Sequence, residues 1–140
     1  MTACSLVIDC SVTAAWLLRS QRTDLTEAIL DRASREAILV PPLWHVEMAN
    51  VLVVAQRRRL ATASEVTEFV NRLGDLALVT AEDSGSRSLR DVRILAVEQK
   101  LSAYDAVYLD LAMRTGLPLA TKDEDLIKAA KRVGAVIARG

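Results

Sequence analysis

Four of the 18 acidic residues stand where they could act together. Asp9 ends an apolar run in VIDCSV, and Glu47 lies in LWHVEMANVLVVA. Asp105 lies in LSAYDAVYLDLA and Asp123 in LATKDEDL. Clustered carboxylates repel one another unless a cation neutralises them or some take up protons. An oxygen-only set with no His or Cys favours Mg²⁺ or Mn²⁺ over zinc. Such a site suits phosphoryl chemistry, in which the ion activates a water and offsets charge on the phosphate. Each of the four acids also has a plain structural reading. Asp9, with Ser11 beside it, can simply begin a helix. Ser102-x-x-Asp105 is close to a capping box and Thr121-x-x-Glu124 is one, which would make Asp123 a first-turn acid favoured by the helix dipole. For Glu47 that reading is a buried structural pair, the weakest of the four. Its helix is nearly apolar all round and should be buried on most faces, so an ionised carboxylate there needs an answer. Asn50 lies three residues on, on the same face, and nothing basic follows until Arg57. A metal ion or a buried partner from another segment must answer Glu47.

The elements that would position these acids follow from the hydrophobic pattern. Short apolar runs at 4–8, 37–40, 76–80 and 118–120 read as strands, with 135–138 as a possible last one. Helices are expected at about 12–19, at 24–34 with Thr23 as N-cap, and at 42–57. Four more follow: one opened by the Thr62-x-x-Glu65 capping box and stopping near Gly74, then 86–99, one from Ser102 to Thr115-Gly116, and 123–132 ended at Gly134. Apolar strands without alternation are buried on both faces, and strands alternating with helices imply parallel pairing through right-handed crossovers. The expectation is one domain over 1–140, a three-layer α/β/α sandwich with a parallel sheet of four or five strands. Function in such sheets lies at the carboxyl ends of the strands. Asp9 and Asp123 should reach that edge, and the helix start bearing Asp105 can face it.

Composition narrows the field. The 140 residues fit a single domain, and 51% hydrophobic residues can bury a core unaided. Lys plus Arg equals Asp plus Glu at 18 each, so bulk charge cannot hold a polyanion and any nucleic-acid contact must come from a local patch. Cys4 and Cys10 supply neither a disulfide framework nor a four-cysteine zinc site, and reduced thiols suit a cytoplasmic protein. Neither a long apolar span nor a signal peptide is evident. Two acid-pocket α/β families fail on their motifs. Haloacid-dehalogenase-like phosphatases need an Asp where Ser11 stands, and receiver domains need more acids near the first strand end. His45 reads as a surface or core-edge residue, and Trp16 and Trp44 as buried rings. Arg57-Arg58-Arg59 suits a helix C-terminus, and Lys122, Lys128, Lys131 and Arg132 form a solvated face. Cys10 reads as a packed thiol.

VIDCSV, PPLWHVEMANVL, LSAYDAVYLDLA and LATKDEDL, in this order and at this spacing, resemble the PIN-domain ribonucleases. More narrowly they resemble the VapC toxins of toxin–antitoxin pairs, over residues 5 to about 136. The resemblance implies a PIN-like fold and Mg²⁺- or Mn²⁺-dependent hydrolysis of RNA phosphodiester bonds, leaving 5′-phosphate and 3′-hydroxyl ends. It implies Asp9, Asp105 and Asp123 as metal ligands and Glu47 as the second acid of an E-x-x-N motif completed by Asn50. Ser11 and Thr121 fall at hydroxyl positions that support the site or the scissile phosphate. Asp125 competes with Asp123 for the fourth role. Asp110 stands where a small residue is common, about 140° round the helix from Asp105, and should face away. The implied partners are RNA, a cognate VapB-like antitoxin that pushes a basic side chain into the acid pocket, and a second copy of the chain. The helices at 12–34 and 42–72 are candidates for either protein interface. Two alternatives stand beside this: a stand-alone PIN nuclease of RNA maturation or decay, and a non-catalytic binding module on the same fold.

Overall fold

The computed structural model describes residues 3–83 and 85–140. Strand β1 (Cys4–Ile8) is central, with β2 (Ala37–Val40) on one side and β4 (Leu119–Ala120) on the other. Strand β3 (Leu78–Thr80) pairs with the outer side of β2, giving the order β3-β2-β1-β4 with every pair parallel. The inner strands explain their own composition. All four residues of β2 are buried, as are Leu6, Val7 and Ile8 of β1, because helices cover both faces. At the edge, β3 is largely exposed.

Helix α1 (Cys10–Leu17) packs on α2 (Asp24–Ala33) and α3 (Pro42–Arg57), and α3 touches α4 (Ala63–Gly74). A second group centres on α7 (Ala103–Thr115), which packs on β1, on α6 (Arg93–Gln99) and on α8 (Glu124–Val133). The α/β/α sandwich expected from the strand–helix alternation is therefore what forms. Local signals set most boundaries. Thr23 caps α2 in a reciprocal pair with Thr26, and Thr62 does the same for α4 with Glu65. Pro42 opens α3 at its first turn, where a missing N–H costs nothing. Gly116 and Gly134 close α7 and α8 at φ of 69° and 78°, the left-handed conformation that favours glycine.

Several boundaries differ from the sequence reading. The first helix begins two residues early, at Cys10, because Asp9 itself caps it, and a 3₁₀ turn (Arg19–Gln21) follows. The third strand is shorter than 76–80. The last apolar run, 135–138, makes only a single bridge, Leu119 to Ile137, so the sheet has four strands. The helix expected at 86–99 is broken into α5 (Gly85–Arg87), a π-helical stretch (Ser88–Val92) and α6. Helix α3 is also less buried than its composition suggests: Val46 is 70% exposed, and Ala49, Asn50 and Val53 join it on an open face.

Candidate functional site

The chain builds the sheet outward from β1 to β2 and β3, then returns to β1's other side for β4. The order therefore reverses between β1 and β4. In open parallel sheets the crevice at that reversal, beyond the carboxyl ends of the strands, is where ligands bind. Asp9 follows β1 directly, and Thr121 and Asp123 follow β4. The two loops are stitched together: the Asp9 amide donates to the Ala120 carbonyl at 3.2 Å and the Lys122 amide to Ser11 Oγ at 2.9 Å.

Asp9 is only 6% exposed. Its Oδ1 accepts from Ser11 Oγ at 2.7 Å and from the Val12 amide at 3.2 Å, the latter being the N-cap bond of α1. Its Oδ2 takes a short hydrogen bond from Thr121 Oγ1. These donors favour the ionised carboxylate, yet burial outweighs them and pushes the carboxyl up to about 6, with the charge of Asp105 adding to the rise. The expected Thr121-x-x-Glu124 box does not form. Thr121 Oγ1 instead takes the Asp123 amide at 3.0 Å while donating to Asp9, and Asp123 is the cap of α8, accepting from the Leu126 amide at 2.9 Å. Capping and site-building coincide here.

Asp105 sits in the first turn of α7, half-buried, with its amide bonded to Ser102 Oγ at 3.1 Å. Its carboxyl is raised by burial first, then by the charges of Asp123 and Asp125. Asp9, Asp105 and Asp123 thus form a chain of mutually repelling acids, with Asp125 as a further contributor on the exposed first turn of α8. Among the described residues no ion pair involves Asp9, Glu47, Asp105 or Asp123. Nor, among those residues, do any three His, Cys, Asp or Glu side chains stand close enough to hold one ion as they are.

Glu47 approaches from α3. Its answer is neutral: the Tyr108 hydroxyl on α7 donates to Oε1 at 2.5 Å. Cys10 Sγ lies 3.9 Å from the same oxygen, 3.5 Å from the Tyr108 hydroxyl and 3.7 Å from the Trp44 carbonyl. Burial, only partly offset by Tyr108, pushes the thiol up to about 12, so Cys10 is a protonated packing residue. Burial also leads the causes that hold the Tyr108 hydroxyl well above the usual phenol range, so it keeps the proton it donates. Tyr108 was missed in the sequence reading, although it lies three residues after Asp105 and hence near the same face of α7. Asn50, one turn beyond Glu47, is exposed.

The remaining features take structural roles. Asp110 is buried and clamped by Arg87 at 3.0 and 2.5 Å and by Arg114 at 2.9 Å, turned away from Asp105 as its helical angle requires. Trp16 donates to the Thr26 carbonyl at 2.9 Å and Trp44 to Thr13 Oγ1 at 3.3 Å, both inside the core. Lys122 Nζ is tied to the Gln21 carbonyl at 2.6 Å, and Arg132 to Gln99, at 2.8 Å to Oε1 and 2.9 Å to the carbonyl.

A parallel sheet with acids gathered where its strand order reverses defines a class. The family model of the PIN domain matches residues 6–132, and the chain belongs to that family. Within it the chain is of the VapC type. It is similar to Ribonuclease VapC3 of Pyrobaculum aerophilum, with 30% identity over 121 residues, 86% of this chain and 91% of that protein. The crystal structure of PAE2754 from Pyrobaculum aerophilum shares the fold with a TM-score of 0.65 at 23% identity, covering 96% of this chain and 89% of that one. No helix among the described residues is long and apolar enough to cross a membrane.

Proposed function

We propose that this single PIN-like domain is a metal-dependent endoribonuclease toxin that hydrolyses RNA phosphodiester bonds and is neutralised by a cognate VapB-like antitoxin. The observation that carries the reading is the chain of acids at the sheet's switch point. The charge of Asp105 adds to the raised proton affinity of Asp9, those of Asp123 and Asp125 add to that of Asp105, and no ion pair among the described residues relieves them. An oxygen-only set of this kind fits a hard divalent cation, Mg²⁺ or Mn²⁺. Asp9, Asp105 and Asp123 would hold it, and Glu47 would hold a second ion or orient the attacking water. When bound, such an ion supplies an activated water and offsets charge on the phosphate.

The chain's own groups do the rest. Ser11 and Thr121 donate to Asp9 and fix both of its oxygens. Thr121 also orders the backbone at Asp123. Asn50, on the exposed side one turn from Glu47, is free to meet substrate. The acidic pocket would suit an antitoxin's arginine, which pairs with carboxylates through two hydrogen bonds. A homodimer in the cytoplasm completes the proposal, with the open face of α3 as a candidate surface.

The test is cleavage of total RNA by antitoxin-free protein with Mn²⁺, with Mg²⁺ and with chelator, beside an Asp9→Asn variant. Discrete fragments that need the ion and vanish in the variant are the expected result. Absence of cleavage by folded protein with either ion would overturn the nuclease reading in favour of a binding module.

A further inference from the structure

Tyr108 is 2% exposed and belongs to the main hydrophobic core. A phenylalanine would fill the same space without burying a hydroxyl, and a buried hydroxyl costs free energy unless it is hydrogen-bonded. Here the hydroxyl reaches Glu47 Oε1 at 2.5 Å, short for an O–H to oxygen bond and typical of a charged acceptor. It also touches Cys10 Sγ, the residue directly after Asp9. One hydroxyl therefore links three elements that each carry an acid: the start of α1 with Asp9, α3 with Glu47, and α7 with Asp105. Among the described residues Glu47 Oε2 takes no hydrogen bond. The carboxylate is thus held by one oxygen, with the other left open.

We propose that Tyr108 is a positioning residue for Glu47: its hydroxyl pins Oε1 so that Oε2 is the oxygen offered to the acid pocket. The inference rests on the nuclease reading above. Groups that orient a ligand carboxylate through a second hydrogen bond commonly matter about 10- to 100-fold in metal affinity or activity when removed. A residue serving only the core would change stability and leave those quantities alone.

The experiment uses the full chain, free of antitoxin, in four forms: unaltered, Tyr108→Phe, Glu47→Gln and the double variant. Mn²⁺ affinity is measured by calorimetry without RNA, kcat and KM on a defined RNA, and the melting transition by circular dichroism. Binding and kinetics are read at a temperature where every form is folded. The expected result for Tyr108→Phe is Mn²⁺ binding weakened, or kcat lowered, by about 10- to 100-fold with KM for RNA unchanged. In the Glu47→Gln background the same change should have no further effect, since the group it positions is already gone. If Glu47→Gln is impaired and Tyr108→Phe matches the unaltered chain, Tyr108 is a core residue only and the inference falls while the nuclease reading stands. If Tyr108→Phe has the same effect with and without Glu47→Gln, it does not act through Glu47, and the inference is likewise overturned. If Glu47→Gln itself changes neither Mn²⁺ binding nor cleavage, the assigned role of Glu47 falls, and the inference with it.

Discussion

Burial of Asp9 has a measurable consequence for stability. Its carboxyl is pushed up to about 6 from an ordinary 3.8. At about 1.4 kcal/mol per pH unit, the shift is worth roughly 3 kcal/mol. The sign follows from proton counts. Between about pH 4 and about pH 6 the folded chain holds a proton on Asp9 that the unfolded chain has released, so stability is greatest below that window and falls as pH rises through it. Asp9→Asn removes the titration. The amide keeps an oxygen for Ser11 and the Val12 N–H, but turns a donor toward Thr121 Oγ1 where an acceptor stood, at a cost of about 1 kcal/mol. Without divalent ions, the variant should be about 2 kcal/mol more stable than the unaltered chain above the window, and no more stable below it. Urea unfolding followed by fluorescence of the buried Trp16 and Trp44 reads this at about pH 4 and about pH 7.5 with chelator present. Comparing the two proteins cancels the contribution of acids remote from Asp9. Added Mn²⁺ should then stabilise the unaltered chain at the higher pH and the variant much less, the ion taking the place of the proton. A stability difference that is the same at both pH values would refute the claim that burial keeps this carboxyl protonated.

Three further outcomes follow from the same contacts. Thr121→Val removes a hydroxyl that serves Asp9 and the Asp123 amide at once, so it should cost about 1–3 kcal/mol in urea unfolding and raise the Asp9 titration further in carbon-detected NMR; an unchanged titration would show that the Thr121 bond does not favour the ionised form. Asp110→Ala removes the carboxylate that Arg87 and Arg114 share, and should destabilise by about 1–3 kcal/mol while folded protein still cleaves RNA; loss of cleavage with the fold intact would place Asp110 in the site. Asp123→Asn keeps a capping side chain on α8 and should melt near the unaltered chain, yet bind Mn²⁺ more weakly than Asp125→Asn does. The reverse order would make Asp125 the fourth acid.

What the sequence could and could not reveal divides along a physical line. Strands that are buried on both faces and helices with explicit caps are set by local chemistry, and Ala37–Val40 and the Thr23 and Thr62 caps were legible for that reason. The acids at strand ends were legible because a carboxylate ending an apolar run stands out. The π-helical stretch at Ser88–Val92 was not, since its apolar pattern is nearly that of an α-helix. Nor was the choice between four and five strands, because 135–138 has strand composition yet makes only the single bridge from Leu119 to Ile137. The open face of α3 was misread because Val46 and Val53 are apolar yet exposed, and composition alone does not say which apolar side chains are covered.

Tyr108 shows the deepest form of the limit. In YDAVYLDLA it reads as one more large residue on a helix that packs against the sheet, and that reading is correct as far as the ring goes. The hydroxyl's partner lies 61 positions earlier, on α3, and the two meet only because α3 and α7 both converge on the start of α1 beside Asp9. Glu47 raised the question from its own side, as a carboxylate in an apolar helix that something had to answer. A metal ion alone would leave that acid disordered until the ion arrived. A hydroxyl donor from the helix that also bears Asp105 holds it beforehand, and ties its position to that of a second acid through one rigid helix. Pre-organisation of this kind needs no charge, and residue-type patterns for metal sites are blind to it.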